Sequence, residues 1–210
     1  MNLNDCKVAL IGTGALSLEL VESFGIDRFV AAYTDIAFLN QARIDLPLFF
    51  SMGALSAKAS HYVLAVADPS ERTRLSALLD EHGMKPAPPM IMPGALISPS
   101  AVIGMGSVVG HGVQIGSRCR LGEHNFIMHN VVIGHDTRTG RYVTLCPGVF
   151  VSGYVDIDER VIVHANATLA KGIKVGSDVL ICQGASCFRS IASGSHAIGN
   201  PAKIMQPMKK

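Results

Sequence analysis

From Ile91 to Ser186 the chain repeats every six residues without an insertion or a deletion. The hexads begin at Ile91, Ile97, Ile103, Val109, Ile115, Leu121, Ile127, Ile133, Thr139, Leu145, Val151, Ile157, Val163, Leu169, Val175 and Ile181, and only Thr139 is not aliphatic. The second position is often glycine, as at Gly104, Gly110, Gly116, Gly122, Gly134, Gly140 and Gly176. The fifth is small or β-branched almost throughout, as at Ala95, Ala101, Ser107, Val113, Cys119, Val131 and Thr137. A short fixed period marks a solenoid, and a period of six indicates an all-β coil, a parallel β-helix. Six residues are too few for a strand plus a helix but enough for one short strand and a corner. The aliphatic residue points inward, the small residue fills the narrow interior, and glycine permits the bend.

The repeat resembles the left-handed hexapeptide β-helices. That resemblance implies three sides closing a triangular coil of eighteen residues, so that the hexads of this chain make just over five coils. Residues eighteen apart would then stack on adjacent coils, roughly 4.8 Å from each other.

The 210 residues leave room for one or two domains. Formal net charge is only +2, with no basic run beyond Lys209-Lys210, which argues against nucleic acid as a partner. Many apolar residues and few charges fit a deep core with a buried subunit interface. Cys6, Cys119, Cys146, Cys182 and Cys187 form no CxxC pair, as expected of reduced cytosolic thiols. The N-terminal run shows no signal-type cleavage site and no stretch is long enough to span a bilayer. The chain therefore reads as soluble and cytoplasmic, with no membrane partner.

Residues 1–84 follow a different pattern, that of a small α/β domain. Lys7 to Ile11 is a short apolar strand that enters Gly12-Thr13-Gly14-Ala15 and then the helical pattern LSLELVESFG. A strand, a glycine turn and a helix open a Rossmann-like nucleotide-binding unit, where backbone N–H groups approach phosphate at the helix N-terminus. A second strand, Phe29 to Tyr33, ends at Thr34-Asp35, and an acid there can take a ribose hydroxyl or a base edge. A third, Tyr62 to Ala67, precedes Asp68-Pro69-Ser70, which predicts a cap for a helix through Leu79. A mononucleotide or nucleotide-sugar fits this size better than a dinucleotide. Residues 85–94 are proline-rich and read as a stiff linker into the coil domain, 91–210.

Of eight histidines, His111, His124, His129 and His135 fall in the middle coils. His135 takes the third position of its hexad, at an outward corner, and Asp136 follows it. A carboxylate beside an imidazole orients it and makes it more basic. Gly153 lies eighteen residues on, in the same column. A base beside a bare backbone amide suits acyl transfer, the amide steadying the oxyanion. A metal site is the rival reading: His124 and His129 are five apart, the spacing found in the hexapeptide-repeat carbonic anhydrases, but two coils before His124 stands Pro88, which cannot ligate. His111 one coil below His129 would make a looser set. No metal is expected. His61, His82, His164 and His196 carry no such pattern.

The glycine loop, the proline stretch, the hexads, Ile133-Gly134-His135-Asp136 and Gly199-Asn200-Pro201-Ala202-Lys203 occur in that order. Together they resemble the bacterial sugar O- and N-acetyltransferases of the sialic acid and UDP-4-amino-sugar type. The resemblance implies His135 as general base and Asp136 as its supporting acid. It implies an acetyl-CoA site at Thr144, Gly153, Ala165 and Lys203, in a groove between subunits. It also implies a nucleotide-sugar site at Gly12, Gly14, Ala15, Thr34, Asp35 and Ala67, with an arginine at Arg72 on the following helix. Three positions depart from the family. Its loop ends Ser-Gly-His-Gly where this chain has Gly14-Ala15-Leu16-Ser17. A second histidine nine residues after the base is Thr144 here, and an asparagine near the sugar amine is Met128.

The expected activity is acetyl-CoA-dependent acetylation of an amine on a nucleotide-linked sugar, by direct transfer with His135 as base, in a homotrimer. The alternatives are O-acetylation of sialic acid or a related sugar, and a non-catalytic solenoid that senses a nucleotide.

Overall fold

The computed structural model describes residues 6–37 and 42–205; the Lys209-Lys210 pair lies outside them. The chain divides into two compact units that meet at residues 90 and 91.

The first unit is a five-stranded, all-parallel sheet with helices. Its strands are β1 (Val8–Ile11), β2 (Phe29–Tyr33), β3 (Leu48–Phe49), β4 (His61–Leu64) and β5 (Lys85–Pro86), in the order β3-β2-β1-β4-β5. Every residue of β1 and β4 is buried, as central parallel strands covered on both faces require. Helix α1 (Ala15–Phe24) follows β1, α2 (Met52–Ser56) follows β3, and α3 (Pro69–Glu81) follows β4. Asp68 caps α3: its Oδ1 accepts from the Glu71 N–H at 2.8 Å, with proline in the first turn. The short elements β3, α2 and β5 left too little periodicity to be read from the sequence. The proline stretch is more than a linker, because Pro86 lies in β5, an edge strand, where a missing N–H is tolerated.

The second unit is a parallel β-helix with three faces. The first face starts at Met90–Ile91 and runs through Val108–Val109, Phe126–Ile127, Thr144–Leu145, Ile162–Val163 and Leu180–Ile181. The second runs from Leu96–Ile97 through Gln114–Ile115, Val132–Ile133, Phe150–Val151 and Thr168–Leu169 to Ser186–Cys187. The third comprises Val102–Ile103, Arg120–Leu121, Arg138–Thr139, Asp156–Ile157 and Lys174–Val175. Each strand pairs with the one eighteen residues away, as with Val132↔Phe150 and Ile133↔Val151. The aliphatic first positions and the small fifth positions fill one continuous interior from Val109 to Ala197. His196–Ile198 continues the first face, and Lys203–Met205 pairs with it antiparallel.

Two positions break the interior pattern, and they meet. Asn125, fully buried at a fifth position, donates from Nδ2 to Oγ1 of Thr139 at 2.5 Å. Its Oδ1 accepts from the Val143 N–H at 2.7 Å, and its own N–H donates to Ser107 Oγ at 3.0 Å. A buried polar network of this kind is tolerable because its members are partnered.

Candidate active site

The corner between the second and third faces carries His135. Its Nδ1 lies 2.7 Å from Oδ2 of Asp136. Asp136 is also gripped from one coil below: Arg118 donates from Nε to Oδ1 and from Nη2 to Oδ2, each at 2.7 Å. The Arg118 guanidinium, and after it His135, hold the Asp136 carboxyl well below the usual carboxylate range. An ionised carboxylate only accepts, so Nδ1 of His135 is the donor and Nε2 keeps its lone pair. The imidazole is about half exposed, so that lone pair is reachable.

Arg118, Asp136 and Tyr154 occupy one column of this corner, all three with left-handed backbone, at φ 59°, 61° and 61°. That conformation turns the chain from one face to the next and sends the three side chains outward. Tyr154 sets its ring edge-on to His135, with centroids 5.0 Å apart at 85°. The Tyr154 N–H donates to the His135 carbonyl at 2.9 Å, which locks the two coils together. Gly153 stands beside the imidazole: a Cβ built on it would lie 3.0 Å from Nε2 of His135. Gly153 is only partly buried, and among the described residues its N–H has no acceptor.

The other coil residues singled out in the sequence lie elsewhere in the chain. Thr144 is a buried strand residue of the first face, Ala165 sits at the corner between the first and second faces, and Lys203 is exposed in the terminal antiparallel pair. Lys203 lines a recess with Arg189, Ser190 and the segment 198–204. Arg118 was missed, although it stands eighteen residues before Asp136 with the opposite charge, a signal that the repeat register carries. His111 and His129 stack at the corner between the first and second faces, ring centroids 5.5 Å apart. His124 stacks on Tyr142 at the corner between the third and first faces. The histidines of the rival metal reading therefore sit on two different corners. Among the described residues no group of three or more His, Cys, Asp or Glu is placed to hold a metal ion.

The first unit has its own cavity, of about 370 Å³, at the carboxyl ends of β1, β2 and β4. Gly12, Thr13, Gly14, Thr34, Asp35, Ala65, Val66, Glu71 and Arg74 line it. Gly12, at φ +112°, is irreplaceable there, because a Cβ would stand 2.8 Å from the Ala65 carbonyl oxygen. A Cβ on Gly14 would meet nothing, so the room left by that glycine opens toward whatever approaches α1. Buried Thr13 donates to buried Thr34, Oγ1 to Oγ1, at 3.1 Å. Ala15 and Ala67 are not part of the lining. The arginine that faces the cavity is Arg74, paired with Glu71, rather than Arg72. Arg72 is wholly buried and donates from Nη1 to the carbonyls of Val66 and Ala67 at 3.0 and 2.7 Å, holding the chain after β4. The two arginines lie two residues apart on α3, and a helix sends such neighbours to different sides.

No protein-family model matches the chain. A structure of perosamine N-acetyltransferase from Caulobacter crescentus, in complex with CoA and GDP-perosamine and with one histidine replaced by asparagine, superposes with a TM-score of 0.86 at 26% identity, over 96% of this chain and 97% of that one. The acetyltransferase domain of PglB from Neisseria gonorrhoeae, in complex with acetyl coenzyme A, gives 0.83 at 26% identity, over 94% and 98%. The chain is similar along nearly its whole length to hexapeptide-repeat sugar acetyltransferases. Curated relatives match a smaller part. An acyl-[acyl-carrier-protein]–UDP-N-acetylglucosamine O-acyltransferase from Burkholderia thailandensis is 30% identical over 83 residues, 40% of this chain. A serine acetyltransferase from Helicobacter pylori is 34% identical over 96 residues, 41% of this chain. The chain spans 32% of the first of these and 56% of the second.

Proposed function

We propose that this protein is an acetyl-CoA-dependent N-acetyltransferase acting on an amino sugar carried by a nucleotide. The observation that carries the reading is the corner itself, where an imidazole with Nδ1 held by a carboxylate offers Nε2 beside the bare backbone of Gly153. The acceptor nitrogen attacks the thioester carbonyl carbon while Nε2 of His135 takes its proton. The carbonyl oxygen becomes an oxyanion, and the Gly153 N–H is the donor offered to it. The tetrahedral intermediate then expels the thiolate of CoA, the C–S bond breaks, and the imidazolium returns the proton to sulfur. The products are an amide and free CoA, and no covalent enzyme intermediate is needed. Arg118 acts through Asp136, fixing the carboxylate that fixes the imidazole.

The nucleotide belongs in the cavity of the first unit. The order β3-β2-β1-β4-β5 is that of a Rossmann-like sheet, and ligands of such sheets bind at the carboxyl ends of the strands. Gly12, Gly14, Thr34 and Asp35 lie there, and Ala15 and Ala67 flank it in sequence. We further infer a left-handed coil and a homotrimer in which Thr144, Ala165 and Lys203 serve an acetyl-CoA groove between subunits; the likeness to CoA- and acetyl-CoA-bound neighbours supports the ligand. The separation of those three residues within one chain accords with that arrangement. Acetyl-CoA and a nucleotide-linked sugar as substrates support a cytoplasmic location. Among the described residues no helix is long and apolar enough to cross a membrane.

The test is His135→Ala assayed with acetyl-CoA and UDP- and GDP-linked amino sugars. Turnover should fall on the order of 10²–10⁴-fold with the oligomer intact. A near-normal rate would remove the assignment.

A further inference from the structure

The outward ladder positions of the coil are unevenly charged. On the first face they are Met90, Val108, Phe126, Thr144, Ile162 and Leu180, and on the second Leu96, Gln114, Val132, Phe150, Thr168 and Ser186. None bears a formal charge. On the third face the positions are Val102, Arg120, Arg138, Asp156 and Lys174. Arg120 and Arg138 are direct register partners in a parallel ladder, so their Cα atoms stand roughly 4.8 Å apart. Like charges placed opposite each other oppose the pairing of the strands. Among the described residues, neither guanidinium makes a hydrogen bond or an ion pair. Asp156 is the next register partner of Arg138, yet it makes no ion pair with it.

The two arginines also share a recess. It has a volume of about 450 Å³ and is lined by Ser100, Arg118, Arg120, Asp136, Arg138, Tyr154 and Asp156. Arg118 and Asp136 neutralise each other inside it. What remains is two free guanidiniums, one carboxylate, a phenol and a hydroxyl, on the flank of the corner that carries His135. A solvated face made only for solubility would alternate its signs. A guanidinium pair at this spacing matches an oxyanion that takes two forked sets of N–H donors.

We propose that this recess is a phosphate subsite, with Arg120 and Arg138 as its ligands, holding a phosphorylated reactant beside the acyl-transfer base. The inference rests on the acyl-transfer reading of that corner. Both reactants of that reaction carry phosphate, so the shared chemistry is a phosphate or diphosphate oxyanion, and the two sources are separated by the probes below.

The experiment titrates coenzyme A, 3′-dephospho-coenzyme A, UDP and GDP into the wild-type oligomer and into Arg120→Gln, Arg138→Gln and the double variant. Calorimetry reads affinity and light scattering reads mass. Lys174→Gln, on the same face but outside the recess, is the control for bulk charge. Affinity in the double variant should fall about tenfold or more, with a weaker dependence on salt, for the reactant that uses the subsite. Loss for coenzyme A but not for its dephospho form assigns the 3′-phosphate. Loss for both assigns the diphosphate of coenzyme A, and loss for UDP or GDP assigns the acceptor. Affinities within twofold of wild type for every probe overturn the subsite and leave the base reading standing. A fall in oligomer mass overturns it too, in favour of an acidic face on a second copy. A wild-type protein that binds no probe overturns both readings, whereas a silent His135→Ala with unchanged binding losses separates the subsite from the base.

Discussion

Nε2 of His135 stands where Gly153 leaves no room for any side chain, since a methyl group added to that glycine would come within 3.0 Å of the nitrogen and 3.1 Å of the His135 carbonyl oxygen. Gly153 does not need a left-handed φ, so the obstacle to an alanine is the contact alone. The imidazole must give way, and the His135 carbonyl by a few tenths of an ångström with it. Gly153→Ala should lower kcat by roughly 10–10²-fold, as a small misplacement of a reacting group does. The thermal midpoint should move by only a few degrees. Steady-state kinetics beside a melting curve checks both, and a kcat within twofold of wild type would contradict the placement.

Arg118 is not one of the proposed phosphate ligands, and its forked grip sets Asp136. Arg118→Ala should reduce kcat about tenfold with little change in the KM for acetyl-CoA, and Arg118→Lys should restore part of it. Removing Arg118 takes away the largest cause that holds the Asp136 carboxyl low, so Asp136 protonates at a higher pH and its grip on Nδ1 is lost sooner on acidification. The acid limb of the kcat/KM profile should therefore move to higher pH in Arg118→Ala. A profile unchanged in shape and height would leave Arg118 a surface ion pair. Stability should hardly respond, because the pair is exposed and screened.

The Asn125–Thr139 bond lies inside the prism, where water does not reach. Thr139→Val leaves Nδ2 of Asn125 without its acceptor and should cost about 1–3 kcal/mol. Asn125→Ala strands the Val143 N–H as well and should cost more. The double variant should be less destabilised than the sum of the two, by about 0.5–3 kcal/mol. Urea unfolding of the four proteins gives the coupling, and strict additivity would refute it.

Gly12→Ala meets the Ala65 carbonyl oxygen at 2.8 Å and adopts a φ that L-residues avoid. The first unit should lose about 1–3 kcal/mol of stability, with weaker UDP or GDP binding. Limited proteolysis should cut earlier within residues 6–90 while the coil stays intact. Unchanged cleavage there would show that the loop has slack.

Burial pushes the Cys187 thiol up to about 11 from an ordinary 9. The unfolded chain therefore loses this proton before the folded chain does. Its contribution to stability is whole below pH 9 and declines as pH rises from about 9 toward 11. Native protein at pH 8 should resist alkylation at Cys187 by iodoacetamide, and denatured protein should not. Mass mapping of the modified peptide decides it.

What could be read from the chain follows from its period. A repeat of six, wound in threes, converts distance along the sequence into stacking, so the neighbours of His135 at Gly153 and of Asp136 at Arg118 are both one coil away in number. The strand and helix of β1 and α1 were legible for a similar reason, an apolar run of strand length followed by helical spacing. Other relations have no such arithmetic. Asn125 and Thr139 are fourteen residues apart, and they touch only because the cross-section closes and brings two sides together across the interior. Arg72 and Arg74 are alike in sequence, and the direction in which α3 packs buries one and turns the other to the cavity. Register along the coil is a property of the chain's own periodicity. Which side chain faces a partner, a cavity or water is decided by packing between segments, and no local pattern encodes it.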